Sequence, residues 1–127
     1  MKILLDTSVL LRLSLAEQTL SKELKEILLG TENLMVTAIS RAEINIKVSV
    51  GKLHLPVPES VFWDELISRL QATQLSFDTA HAARLASLPL YHRDPFDRMI
   101  LAQCLVEDLV LATTDIMLGS YGVTVVN

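Results

Sequence analysis

Residues 2–15, Lys2-Ile3-Leu4-Leu5-Asp6-Thr7-Ser8-Val9-Leu10-Leu11-Arg12-Leu13-Ser14-Leu15, decide how the rest of the chain is read. Ile3-Leu4-Leu5 is a continuous apolar triplet, the pattern of a strand buried on both faces rather than one with a wet side. Asp6 closes it, and from Ser8 to Leu15 the sequence reads as a helix. A buried strand, an acidic residue and then a helix is how an alternating α/β chain begins.

The same alternation continues outward from that stretch. Leu34–Thr37, Leu75–Phe77, Leu109–Ala112 and Val123–Val126 read as further strands. Ser21–Leu29, Ala38–Val50, Glu59–Gln71, Thr79–Leu88 and Pro95–Glu107 read as helices. A loop is predicted at Leu53–Pro58, where Pro56 and Pro58 each disfavour helix at the residue before them. No linker, repeat or low-complexity segment interrupts the pattern. It predicts a three-layer α/β domain with a parallel sheet, occupying residues 1–127 as one unit. In such sheets ligands bind outside the carboxyl ends of the strands.

Composition narrows the class. The chain has 127 residues, 50% apolar and 20% charged, which is enough to bury an ordinary core and too apolar for disorder. One cysteine, Cys104, excludes a disulfide framework and any Cys-based zinc cluster, and a reducing cytoplasm is the expected compartment. The longest stretch free of Asp, Glu, Lys and Arg is Ile116–Asn127, twelve residues, where a spanning helix needs about 20. Asp6 ends the first apolar run too early for a signal peptide. A net charge of −4 is unlike that of a sequence-independent nucleic-acid binder, so the placement of the acids matters more than their sum.

Four acids stand out. Asp6 and Asp115 each follow a strand, and each is equally well placed to cap a helix. Glu43 shares a helical stripe with Ile39, Ile46 and Val50, where a carboxylate is costly unless it is paired or binds a metal. A buried ion pair, with Arg41 nearby in sequence, and an edge that reaches solvent are the competing readings. Asp97 falls at the third position of a helix capped by Asp94 and opened by Pro95, which favours an acid on electrostatic grounds alone. Taken together, four carboxylates gathered at one end of a parallel sheet would repel one another, and a hard divalent cation is the natural compensation.

Read with their neighbours, these residues resemble a known family. Leu5-Asp6-Thr7-Ser8-Val9-Leu10-Leu11, Ser40-Arg41-Ala42-Glu43-Ile44, His92-Arg93-Asp94-Pro95-Phe96-Asp97-Arg98-Met99-Ile100-Leu101-Ala102-Gln103, Thr113-Thr114-Asp115 and the terminal Tyr121-Gly122-Val123 are similar to the motifs of PIN-domain ribonucleases. The VapC-type toxins of toxin–antitoxin pairs are the branch resembled. The resemblance implies a five-stranded parallel sheet between helices and a metal-dependent endoribonuclease acting on RNA. It makes Asp6, Glu43, Asp97 and Asp115 the catalytic and metal-binding residues around Mg2+ or Mn2+, with the Thr113 hydroxyl in support. It also implies a small antitoxin partner and a homodimer. Leu11, Leu15 and Leu28 on the first two helices are the expected apolar anchors for that antitoxin. Ile116-Met117-Leu118, in place of the polar and aromatic residues common in the family after Asp115, are a departure.

Other readings fit less well. A haloacid-dehalogenase-like phosphatase needs a second Asp where Ser8 stands. A receiver domain needs paired acids after the first strand. A non-catalytic PIN-like module binding RNA or protein is the alternative left open. His54, His81 and His92 lack metal-ligand spacing and read as surface or capping residues. Lys47, Lys52, Arg93 and Arg98 read as solubilising charges or, together, as a positive rim for phosphates. Cys104 reads as a small buried apolar group, and Phe62, Trp63, Leu66 and Ile67 as a core or dimer-facing stripe.

Overall fold

A computed structural model describes residues 1–127. The triplet at the start of the chain forms β1 (Lys2–Leu5), and its three apolar side chains are fully buried. They divide by the two-residue period of a strand. Ile3 and Leu5 enter one apolar cluster with Val9, Leu10, Leu24, Ile44 and Trp63, while Leu4 enters another with Ile100, Leu101, Cys104 and Leu118. Two cores, one on each face of one sheet, make the three layers.

The helices α1 (Thr7–Leu15), α2 (Lys22–Leu29), α3 (Ala38–Ser49) and α4 (Glu59–Leu70) contribute to the first core. α6 (Pro95–Glu107) supplies the largest share of the second, and α5 (Thr79–Arg84) packs beside it. The remaining strands are β2 (Asn33–Thr37), β3 (Thr73–Leu75), β4 (Val110–Ala112) and β5 (Val125–Val126). Their order is β3-β2-β1-β4-β5 and every pairing is parallel, with Leu4 opposite Met35 on one side and Leu111 on the other. The chain winds outward from β1 through β2 to β3, then returns to β4 on the other side. The carboxyl end of β1 is therefore the point where the winding reverses, which is where sheets of this kind leave a crevice. Asp6 stands at that point, its N–H donating to the Ala112 carbonyl at 3.0 Å.

Three sequence expectations need correction. β3 lies at Thr73–Leu75, two residues before the expected run, because this edge strand carries the exposed Thr73 and Gln74 and shows no apolar triplet. It is anchored by the buried Trp63, whose indole N–H donates to Gln74 at 2.9 Å. The helix expected over Thr79–Leu88 stops at Arg84 and continues only as a 3-10 turn, Leu85–Ser87. On α3 the inward face is Ile39, Ser40, Glu43 and Ile44, whereas Ile46 and Val50 are 49% and 59% exposed. Glu43 is buried, as expected, but the stripe that pointed to it turns outward after one turn.

Phe62, Trp63 and Leu66 are core residues. Leu28 is core as well, which removes it as an accessible anchor; Leu11 is half-buried and Leu15 exposed. Two further 3-10 segments, Glu17–Thr19 and Ile116–Tyr121, had no periodic signal. No helix is long and apolar enough to cross a membrane.

Candidate functional site

The carboxyl edge of the sheet brings the four acids to one side by four separate routes. Asp6 arrives on β1 and Asp115 on the turn after β4. Glu43 lies on the second turn of α3, directly after β2, and Asp97 on the first turn of α6. The capping readings of Asp6 and Asp115 hold: Asp6 Oδ1 accepts the Val9 N–H at 2.8 Å and Asp115 Oδ1 that of Met117 at 3.0 Å. Capping uses one oxygen of each; Asp6 also takes the Thr113 hydroxyl, and Asp115 Oδ2 lies 3.4 Å from His92 Nε2.

The acids sense one another through their charges: Asp6 interacts with Glu43, Asp115 and Asp97, and Asp97 also with Glu43. Burial raises the Asp6 carboxyl above its ordinary value, with Glu43 and Asp115 adding to the rise and hydrogen bonds from Thr113 and Val9 opposing it. Burial, with the Asp94, Asp6 and Glu43 carboxylates, pushes Asp97 up to about 6 against the pull of His92. Asp6 and Glu43 are each only 5% exposed. Glu43 Oε2 pairs with Lys47 Nζ at 2.8 Å one turn on, while its buried Oε1 has no partner. Arg41 does not neutralise it. That guanidinium reaches Glu59 instead, at 2.6 Å, and lies over the Trp63 ring.

The floor of the crevice is polar and fixed. Thr113, fully buried, accepts the Asp115 N–H at 3.0 Å and its hydroxyl also bonds Asp6. Thr7 and Ser40 join hydroxyls at 2.9 Å, tying α1 to α3. The sequence reading of Thr113 agrees with this placement, and the capping role read for His92 is one half of what that side chain does. Nδ1 of His92 accepts the Asp94 N–H at 3.2 Å, so Nε2 carries the proton, and it faces Asp97 Oδ2 at 3.5 Å and Asp115 Oδ2 at 3.4 Å. The local His-x-Asp turn was visible in the sequence, whereas the contact with Asp115 spans 23 positions and exists only in the fold.

A different group, Asp78, His81 and Glu107, has its ligand atoms within 4.8 Å of one another, closer together than the four acids at the sheet edge. Asp97 opens α6 and Glu107 ends it, so the two groups stand about 15 Å apart along the helix. The His81 ring, 1% exposed, is already satisfied on both sides. Its Nδ1 accepts the Asp78 N–H at 3.0 Å and its Nε2 meets Glu107 at 2.9 Å. This is a clamp between α5 and α6. The acids at the sheet edge differ in having carboxylate charge without enough cation.

The sequence profile described as PIN domain matches residues 3–122. The chain belongs to the PIN-domain family. No curated protein matches it. Solved structures share the PIN-domain fold over nearly the whole chain. A chain of the DNA-bound VapBC complex from Salmonella typhimurium is 20% identical with a TM-score of 0.74, covering 99% of this chain and 97% of that one. A chain of VapBC2 from Rickettsia felis, bound to a fragment of its promoter, is 18% identical at 0.75, covering 100% and 98%. A chain of a toxin–antitoxin complex from Klebsiella pneumoniae is 19% identical at 0.67, covering 99% and 97%.

Proposed function

We propose that this PIN domain, acting as one unit over residues 1–127, is a metal-dependent endoribonuclease and the toxin of a toxin–antitoxin pair. The observation that carries the reading is the crowding of Asp6, Glu43 and Asp97 in a partly buried crevice, with Asp97 at about 6 and Glu43 Oε1 unpartnered. Such a set is unfavourable alone and suits a hard cation that prefers oxygen donors. The residues fit Mg2+ or Mn2+. Asp6 and Asp97 would hold it directly, and Glu43 and Asp115 would complete the set or orient water.

When bound, the ion would lower the pKa of a coordinated water and offset phosphate charge. The chain's own residues do the rest. The Val9 N–H and Thr113 hydroxyl fix the Asp6 rotamer, so that no reorganisation is needed when substrate arrives. Lys47 holds Glu43 by one oxygen and leaves the other, buried, without a partner. His92, pinned through Nδ1, presents an N–H between Asp97 and Asp115, positioned to reach a phosphate oxygen beside them.

Mn2+-dependent cleavage of RNA by the purified chain tests the activity. Asp6→Asn or Asp97→Asn should abolish it with the fold intact, since Asn keeps the shape and removes the charge. Cleavage by Asp97→Asn at the parental rate would remove that residue from the site. The toxin reading draws support from neighbours that come from VapBC and toxin–antitoxin complexes. Purification with the genomic neighbour tests it: a small protein that binds and stops cleavage is expected. A neighbour with no effect would leave a free-standing nuclease of the same fold. A homodimer is part of the reading, and light scattering decides it.

A further inference from the structure

The turn entering α6 carries Leu90, 70% exposed, and Tyr91, 67% exposed. Exposed apolar side chains on a loose turn have little meaning, but this turn is braced. Arg98 Nη1 donates to the carbonyls of Pro89 at 2.9 Å and His92 at 3.3 Å, and Nη2 to that of Leu88 at 3.4 Å. The His92 N–H donates to the Tyr121 hydroxyl at 2.6 Å, and the Asp94 N–H to His92 Nδ1. Arg98 is thus committed to the backbone and is no part of a phosphate rim. Tyr91 leans on Tyr121 with ring centroids 5.2 Å apart, tilted by 55°, and the rest of its ring stands in solvent.

What lies beside this platform gives it a use. The next residue, His92, touches Asp97 and Asp115, and beyond Asp115 come Ile116 and Met117, 61% and 67% exposed. Apolar surface therefore flanks the acidic crevice on both sides. Arg93 is exposed, joins no ion pair, and lines an open cleft with Leu90. A rigid aromatic face, a free guanidinium and a phosphate-directed centre in sequence along one rim match an unpaired strand, whose bases stack and whose backbone is charged.

We propose that Tyr91 is a stacking platform for a base of single-stranded RNA next to the scissile phosphate, with Arg93 taking an adjoining phosphate. This rests on the ribonuclease reading and adds which side chains hold the strand beside the bond that is cut. A second copy of the chain seated on the same rim would cover Asp115 and close the crevice to RNA, which disfavours that occupant. Preorganisation is the point of the bracing: a platform already ordered loses little entropy when a base lands on it.

The test compares the parent, Tyr91→Leu, Tyr91→Phe and Arg93→Ala on a fluorescein-labelled unstructured RNA of about twelve nucleotides, a length matched to single-strand site sizes. Binding is read by anisotropy in EDTA and cleavage kinetics in Mn2+. Tyr91→Leu should weaken binding and raise KM about ten-fold with kcat nearly unchanged. Tyr91→Phe should behave as the parent, separating stacking from general apolar burial. Arg93→Ala should weaken binding and lower the salt slope by about one. Binding of the duplex form should be indifferent to Tyr91→Leu. Parental KM and affinity in Tyr91→Leu, with cleavage intact in both, would overturn the platform alone. A parent that neither binds nor cleaves would overturn the ribonuclease reading and the platform with it. A dimer that becomes a monomer in Tyr91→Leu, with KM unchanged, would assign this face to contacts between copies.

Discussion

Asp97 is a residue with two opposing structural effects, and their sizes decide its behaviour. At the third position of α6 its charge favours the helix terminus by about 0.3–1 kcal/mol. Burial beside Asp94, Asp6 and Glu43 works the other way, raising the carboxyl from 3.8 to about 6. The larger effect is the second. The folded protein holds this proton more tightly than the unfolded chain, so its contribution to stability falls as pH rises from about 4 to about 6 and stays lost above. Asp97→Asn should therefore stabilise the protein in chelator at pH 7–8 by about 1–2 kcal/mol, the gap closing near pH 4. Urea unfolding across pH checks it. A variant less stable than the parent at pH 7 would mean that the helix-terminus effect dominates.

Among the elements, α5 is the shortest helix and depends on something other than its own length, since isolated helices this short do not persist in water. What holds it is His81, joined to Asp78 at its own start and to Glu107 on α6, with Phe77 packed against the ring at 5.8 Å. His81→Phe keeps a flat ring in place, somewhat larger than the imidazole, and deletes both hydrogen bonds. It should cost about 1–3 kcal/mol, because the Asp78 N–H loses its acceptor. Mn2+-dependent cleavage should be unchanged. Loss of cleavage at parental stability would show that the clamp is coupled to the acidic crevice. α4 offers the opposite sign. It ends at Gln71 with φ of 50°, a conformation unfavourable for a residue with a Cβ, and Gln71→Gly should raise stability by roughly 0.5–1 kcal/mol in the same unfolding measurement.

At the scale of the whole molecule, a ligand that binds only the folded state stabilises it by mass action, by about 2.7 kcal/mol at one hundred times its dissociation constant. Mn2+ should raise the parental Tm by several degrees, as expected for a chain of this size. The increment should vanish in Asp97→Asn and persist in His81→Phe. The reverse pattern would move the ion to the Asp78, His81 and Glu107 group. Calorimetric unfolding with and without the ion decides between them.

What short-range chemistry dictates was legible in the sequence. The buried triplet Ile3-Leu4-Leu5, the helix start at Asp94-Pro95 and the Pro56 and Pro58 loop are local statements, and each is legible because composition and spacing over a few residues fix the backbone. The alternation of such segments also fixed the three-layer class, since a doubly buried strand leaves few alternatives. Edge strand β3 was displaced because a strand with exposed Thr73 and Gln74 has no apolar signature. The outward turn of Ile46 and Val50 depended on where α3 packs. The four acids were nameable one by one, but their convergence at the end of β1 comes from the β2-β1-β4 order, which no local pattern encodes. His92 shows the limit most plainly. Its partners Asp97 and Asp115 come from two different elements, and only the parallel pairing of β1 with β4 carries Asp115 to the first turn of α6.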